Sequence, residues 1–277
     1  MSSSRSCRLR LLFNLLAAAS LLSCAAAALS LRAEAAPAAS AAGAAITPAA
    51  ELRPFLQQHY GAYDARRQAW PGRAADAGPP RRYTVCADRL LPGGTQRLLA
   101  VCGAIEGAAA HVESARLDLY QLRQQAGQWQ IELQLTGLET GNFGEPGELR
   151  TLQLGAGWYG FAVLDGYTGQ GQTIDSLHLY APTKRGLAEV LALNVGYENS
   201  GLPEGEDGKP RAATCRQIER RWRLDASQPA AAAYPLRIDE TQQIGAARQP
   251  RHLQHALTFD ATAGRYRLPP TLQPWLE

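Results

Sequence analysis

The sequence predicts a mostly β fold, an antiparallel sandwich or barrel-like domain with a short N-terminal helix. Three observations lead there. Over Gln128–Thr136, Trp129, Ile131, Leu133 and Leu135 alternate with Gln128, Gln130, Glu132, Gln134 and Thr136, the period of a strand with one dry and one wet face. About eleven short strands of this kind follow residue 81, most of them separated by Gly, Pro, Asn or Asp, the punctuation of a sandwich, a barrel or a few propeller blades. Helical spacing is clearest only near residues 47–63. A repeat of about 40 residues, which a propeller needs, is not visible.

The chain begins with a segment that reads as an address. Arg5, Arg8 and Arg10 lead into an uncharged run from Leu11 to Leu31, the layout of a secretory signal. Inside it, Leu21-Leu22-Ser23-Cys24 resembles the bacterial lipobox, which predicts cleavage before Cys24 and a lipid on that residue. Signal-peptidase cleavage near Ala33-Glu34-Ala35 is the second reading, and an uncleaved anchor the third. Ala25 after the cysteine resembles the outer-membrane sorting pattern. The division expected is residues 1–23 as signal, 24–46 as lipidated Cys24 and a disordered Ala-rich tether, and 47–277 as one β-rich domain with an N-terminal helix.

Thr47-Pro48 looks like a helix start. Leu52, Phe55, Leu56, His59, Tyr60 and Tyr63 follow at roughly helical spacing, with Pro54 beginning or kinking the helix and its end near Gly61 to Trp70. The strands then expected are Arg82–Arg89, Gln96–Ile105, Ala115–Arg123, Gln128–Thr136, Glu148–Leu154, Tyr159–Leu164, Ile174–Ala181, Leu187–Val195, Thr214–Leu224, Pro235–Asp239, Ala256–Asp260 and Arg265–Leu268. The first two make a hairpin about Leu91–Thr95, so Cys86 and Cys102, equidistant from Gly94, face each other and are expected to form a disulfide. Cys7 leaves with the signal, and Cys215 is then an unpaired thiol or a rival partner.

Charge excludes a class of function. The chain carries 28 basic and 25 acidic residues, and residues 1–23 hold three of the basic ones and no acid. Removal of the signal leaves 25 against 25, so no global basicity points to nucleic acid.

Gly-x-Ser-x-Gly and His-Glu-x-x-His are absent from the sequence, so no catalytic residue, metal or cofactor is assigned. Four groupings remain. Asp165–Thr173, rich in Gly and carrying Tyr167, reads as a long hairpin connection whose ring could stack on a sugar or a peptide. Glu198–Lys209 is an acidic loop with oxygen ligands but not the spacing of a calcium loop. His252 and His255, with His178 only a guess at a third ligand, read as a polar loop before Ala256. Arg216, Arg220, Arg221 and Arg223 flank Trp222. On a strand, Arg221 and Arg223 share one face while Arg220 and Trp222 share the other, and the segment is either a binding surface for phosphate, lipid A or an acidic partner protein or a charge-protected edge strand. Asp165, Asp239, Glu240 and Asp260 could supply an acid–base pair for glycoside hydrolysis, but strand-end Asp residues are usually turn formers.

Val85-Cys86, Leu117-Asp118-Leu119-Tyr120, Leu177-His178-Leu179-Tyr180 and Leu257-Thr258-Phe259-Asp260 through Gly264-Arg265-Tyr266 are together similar to exported proteobacterial β-rich proteins and lipoproteins of unassigned function, over roughly residues 82–268. The resemblance implies an exported β domain and carries no site residue. The reading is an envelope lipoprotein on the periplasmic side, membrane-bound through its lipid. Its domain binds a protein partner, a toxin or enzyme that it restrains, or a cell-wall ligand, with Tyr167, Arg220, Arg221 and Trp222 as candidate contacts. An envelope hydrolase and a structural envelope component are the alternatives.

Overall fold

In the computed structural model the described residues are 45–72, 78–199, 215–245 and 249–272. A short 3-10 turn, Ala50–Leu52, leads into helix α1, Arg53–Tyr60. Pro54 stands in its first turn, where it gives up no hydrogen bond, so it starts the helix rather than kinking it, and Thr47-Pro48 lie just outside. Gly61, at φ +83°, ends it.

The strands are β1 (Arg81–Leu90), β2 (Gln96–Ile105), β3 (Ala115–Gln125), β4 (Gln128–Thr140), β5 (Glu148–Gly155), β6 (Trp158–Gly169), β7 (Gln172–Thr183), β8 (Gly186–Glu198), β9 (Arg216–Leu224), β10 (Leu236–Ile244), β11 (Arg251–Leu257), β12 (Phe259–Asp260) and β13 (Arg265–Tyr266). β1 to β4 form a four-stranded sheet in chain order, β5 to β11 a seven-stranded one, and β12–β13 a separate hairpin. Each paired strand is antiparallel to its neighbour, as a succession of short connections requires.

Three apolar layers hold these parts together. Helix α1 lays Leu52, Phe55, Leu56 and Tyr60 on Val85, Leu99, Val101, Tyr120 and Leu122 of the first sheet. Each such side chain, once buried, contributes about 1.5–3 kcal/mol. Polar atoms fix this docking: the Tyr60 hydroxyl donates to Asp118 Oδ2 (2.6 Å) and lies 2.7 Å from the Tyr120 hydroxyl, while Asp118 Oδ1 accepts from the Gly137 amide at 2.7 Å. The opposite face of the first sheet, with Leu98, Ala100, Leu117 and Leu119, packs on Phe161, Val163 and Leu187 of the second. The other face of the second sheet surrounds Leu154, Leu177, Leu179, Leu193, Leu236 and Ile238, closed by Tyr266 and Leu272.

That second sheet is curled. β5 and β9 are four strand positions apart, about 19 Å if the sheet were flat. Yet the Arg150 guanidinium lies 4.8 Å from the Trp222 ring centroid. Past β5, the Tyr234 amide donates to Leu154 O (2.6 Å) and the Ala156 amide to Ala231 O (2.7 Å). The first strand of the sheet thus meets the connection between β9 and β10.

Cys86 and Cys102 are joined, with Cα atoms 5.8 Å apart. They are not direct cross-strand partners: Thr84 pairs with Cys102, and Cys86 is the extra residue of a bulge between Val85 and Ala87. The bulge turns Cys86 onto the face that Cys102 already occupies. Cys215 is buried.

Several expected loops are strand. Gln170 (φ +49°) and Gly171 (φ +79°) make a two-residue primed turn, so β6 and β7 run through most of Asp165–Thr173. β11 begins at Arg251, in place of the polar loop expected there. β9 is bonded on both sides and is no edge strand.

Candidate functional site

A concavity of about 1130 Å³ opens at one end of the curled sheet. Four turns build it. Lys184 and Arg185 form the two-residue connection of β7 and β8, where the Thr183 hydroxyl donates to Gly186 O (2.9 Å) and accepts from the Arg185 amide (3.1 Å). Trp158 enters from the turn before β6 and is held by its indole N–H on Pro182 O at 2.9 Å. Phe259 and Arg265 come from the β12–β13 hairpin. Asp260 shapes that hairpin by accepting from the Thr262 and Ala263 amides (2.9 and 3.1 Å). The Ala263 amide and then Arg267 hold the Asp260 carboxyl below the usual range. Ala232 and Ala233 close the fourth side, and the Tyr266 hydroxyl ties this wall to β13 through Tyr234 O (2.9 Å).

The cleft has an aromatic floor and a basic rim. The Trp158 and Phe259 ring centroids are 4.7 Å apart at 56°, and Phe259 meets Tyr266 edge-on. Lys184, Arg185 and Arg265 are exposed. Among the described residues no carboxylate pairs with them, whereas Arg67, Arg97, Arg123, Arg237 and Arg267 all hold one. The carboxylate of the cleft, Glu189, is taken up by His178 Nδ1 at 2.7 Å. The lining includes no Leu, Ile, Val or Met; apart from Trp158, Phe259 and Pro182 it is small or polar.

The residues singled out in the sequence fall elsewhere. Tyr167, 43% exposed, stands at the far end of β6 from Trp158. It joins His111 and Phe143, with ring centroids 6.5 Å (Tyr167–His111) and 6.1 Å (His111–Phe143) apart. Arg220, Arg221 and Trp222 do not form one surface. Arg220 and Trp222 point into the curl, while Arg221 points outward and pairs with Glu219 at 2.9 Å. Arg220 Nε donates to Glu240 Oε2 at 2.7 Å, with 0% and 1% of the two side chains exposed. Burial lowers the Arg220 pKa and Glu240 opposes that. Trp222 packs in the core beneath Arg150.

His252 and His255 lie three apart on β11 and so on opposite faces. His252 meets Thr241 Oγ1 (3.2 Å), and His255 Nε2 sits 3.6 Å from Glu240. They cannot share a metal, and no metal-ligating cluster occurs among the described residues. Asp165 accepts from the Gly141 amide (2.9 Å), and Asp239 from Gln254 (3.0 Å). The four carboxylates singled out are thus engaged separately. Residues 200–214, most of the acidic loop, lie outside the described residues, as does Cys24.

Sequence reasoning missed the cleft. Its signals, a Lys-Arg turn and a Phe-Asp…Gly-Arg hairpin, look like ordinary turns one at a time. No protein-family profile, curated protein or solved structure matches this chain.

Proposed function

We propose that this protein is an exported, lipid-anchored binding module of the bacterial envelope, tethered through Cys24 and seating its ligand in the basic, aromatic cleft without transforming it. The observation that carries the reading is three exposed cations without a carboxylate partner around a cleft floored by Trp158 and Phe259. A concave pocket with a few convergent polar groups is the usual form of a ligand site, and turns fixed by their own hydrogen bonds present it without reorganisation. The test is co-sedimentation of the exported chain with purified envelopes, followed by mass analysis of the envelope material. Binding that Lys184→Glu/Arg185→Glu/Arg265→Glu abolishes, with the envelope chemically unchanged, supports the reading. A released product overturns it. For the anchor, Cys24→Ala should abolish palmitate labelling and release the chain from membranes; unchanged labelling overturns lipidation at that residue.

One geometry favours a hydrolase as the second reading. His178 and Glu189 form an oriented imidazole–carboxylate pair beside the cleft, the arrangement that holds a general base. Turnover lost on His178→Ala would select it.

A further inference from the structure

We infer that the ligand of the cleft is an anionic saccharide, an extended sugar chain bearing carboxylate or phosphate groups. The inference rests on the binding-module reading and narrows it. Each part of the cleft removes a competing class. Lys184, Arg185 and Arg265 call for negative charge, and their exposure keeps them hydrated until a ligand arrives. An acyl chain is excluded by the lining: Ala188, Ala232, Ala233, Ala261 and Ala263 offer little apolar depth, and no branched aliphatic side chain is present. A nucleobase is disfavoured by the ring geometry. Trp158 and Phe259 meet at 56° and cannot sandwich a flat heterocycle between parallel faces.

A sugar needs what remains. Its C–H face rests on one tilted ring, and its hydroxyls reach backbone groups that alanines and Gly264 leave approachable. The volume, about 1130 Å³, exceeds that of small-ligand pockets, roughly 300–1,000 Å³, and suits several linked sugars more than one. Trp158 is fixed by Pro182 O, so the stacking surface exists before binding.

The test uses the nitrogen-15-labelled full chain carrying Cys24→Ala, titrated at low and at physiological salt with four probes. These are a neutral chitotetraose, a muramic-acid-containing glycan free of peptide, the acyl-free bisphosphorylated glucosamine disaccharide, and adenosine monophosphate. The expected result is movement of the Trp158 indole N–H resonance by at least one charged sugar, with the neutral one binding less well and added salt weakening the complex. Lys184→Ala/Arg185→Ala/Arg265→Ala should weaken it by about tenfold, since three exposed contacts together supply a little over 1 kcal/mol. These residues are exposed and the variant keeps the fold, whereas Trp158→Ala risks the packing on Phe259. Preference between the carboxylated and the phosphorylated sugar identifies the source.

Equal binding of chitotetraose overturns the anionic part, and tighter binding of adenosine monophosphate overturns the saccharide. If no sugar binds while the cleft variant still abolishes envelope co-sedimentation, the inference falls and the binding-module reading stands. If neither occurs, both fall.

Discussion

Replacing Arg220 by Met should leave Glu240 as a buried carboxylate without its cation. The pair is closed to water, with 0% and 1% of the two side chains exposed and Nε to Oε2 at 2.7 Å. Removing one partner of such a pair costs about 3–5 kcal/mol, because the survivor keeps its desolvation penalty. Over a folded unit of about 200 residues, each kcal/mol moves Tm by about 2–4 °C, so a fall of roughly 6–20 °C is expected. Urea unfolding at pH 7.5 measures the loss. Arg220→Met/Glu240→Leu should regain stability to within about 1 kcal/mol of the parent. Both variants lose the bond from Arg220 Nη1 to Asn194 O, so that loss cancels in the comparison. A single variant costing under about 1 kcal/mol, or a double as unstable as the single, would refute the reasoning.

Cys86→Ser/Cys102→Ser should cost about 3 kcal/mol for a staple spanning 16 residues in sequence, read as a lower urea midpoint. Tyr60→Phe should cost about 1–3 kcal/mol through the lost bond to Asp118. In the parent, burial first, then Tyr120 and Asp118, hold the Tyr60 hydroxyl far above its ordinary value. Its contribution is therefore intact below about pH 10 and declines as pH rises further, a decline that alkaline unfolding curves should show and Tyr60→Phe should lessen. Asp225 is held down at about 2, first by the Ser227 hydroxyl and then by Arg237. Its carboxyl should titrate at about 2 by NMR and move toward about 3.9 in Arg237→Gln, and its contribution is present above the unfolded value and lost as pH falls toward 2. Phe143 is 61% exposed and sits at φ +52°. Phe143→Gly should raise stability by about 1 kcal/mol by relieving the left-handed backbone, and a fall in thermal midpoint would show that the ring's contacts outweigh the strain.

Much of the fold was legible because burial imposes a period. Trp129, Ile131, Leu133 and Leu135 announce β4 without help from the rest of the chain. The eleventh strand was hidden for the opposite reason: at the sheet edge it shows His252 and Gln254 outward and has too few apolar residues to mark a period. The tip of β6–β7 was misread because Gly169 and Gly171 suggest a loose loop, whereas Gln170-Gly171 supplies only the positive φ of a tight turn. Arg220 looked like surface because nothing within its own segment reveals Glu240, its neighbour across a register. The cleft was illegible on principle: Trp158, Lys184 and Phe259 come together only after the sheet curls. Alternation along Arg220–Arg223, by contrast, did separate Arg221 from Trp222 correctly.

From β5 to β11 each strand bonds to the one made just before it, so a chain emerging from the ribosome or a translocation pore can extend the sheet one edge at a time. The cleft does not grow with it. Lys184 and Arg185 are made long before Phe259 and Arg265, and the hairpin that carries the latter pair comes after the last strand of the large sheet. A nascent chain, or one clipped after Leu257, holds eleven strands and only half a cleft. The cleft is therefore complete only once the β12–β13 hairpin has been made, after every strand of the large sheet.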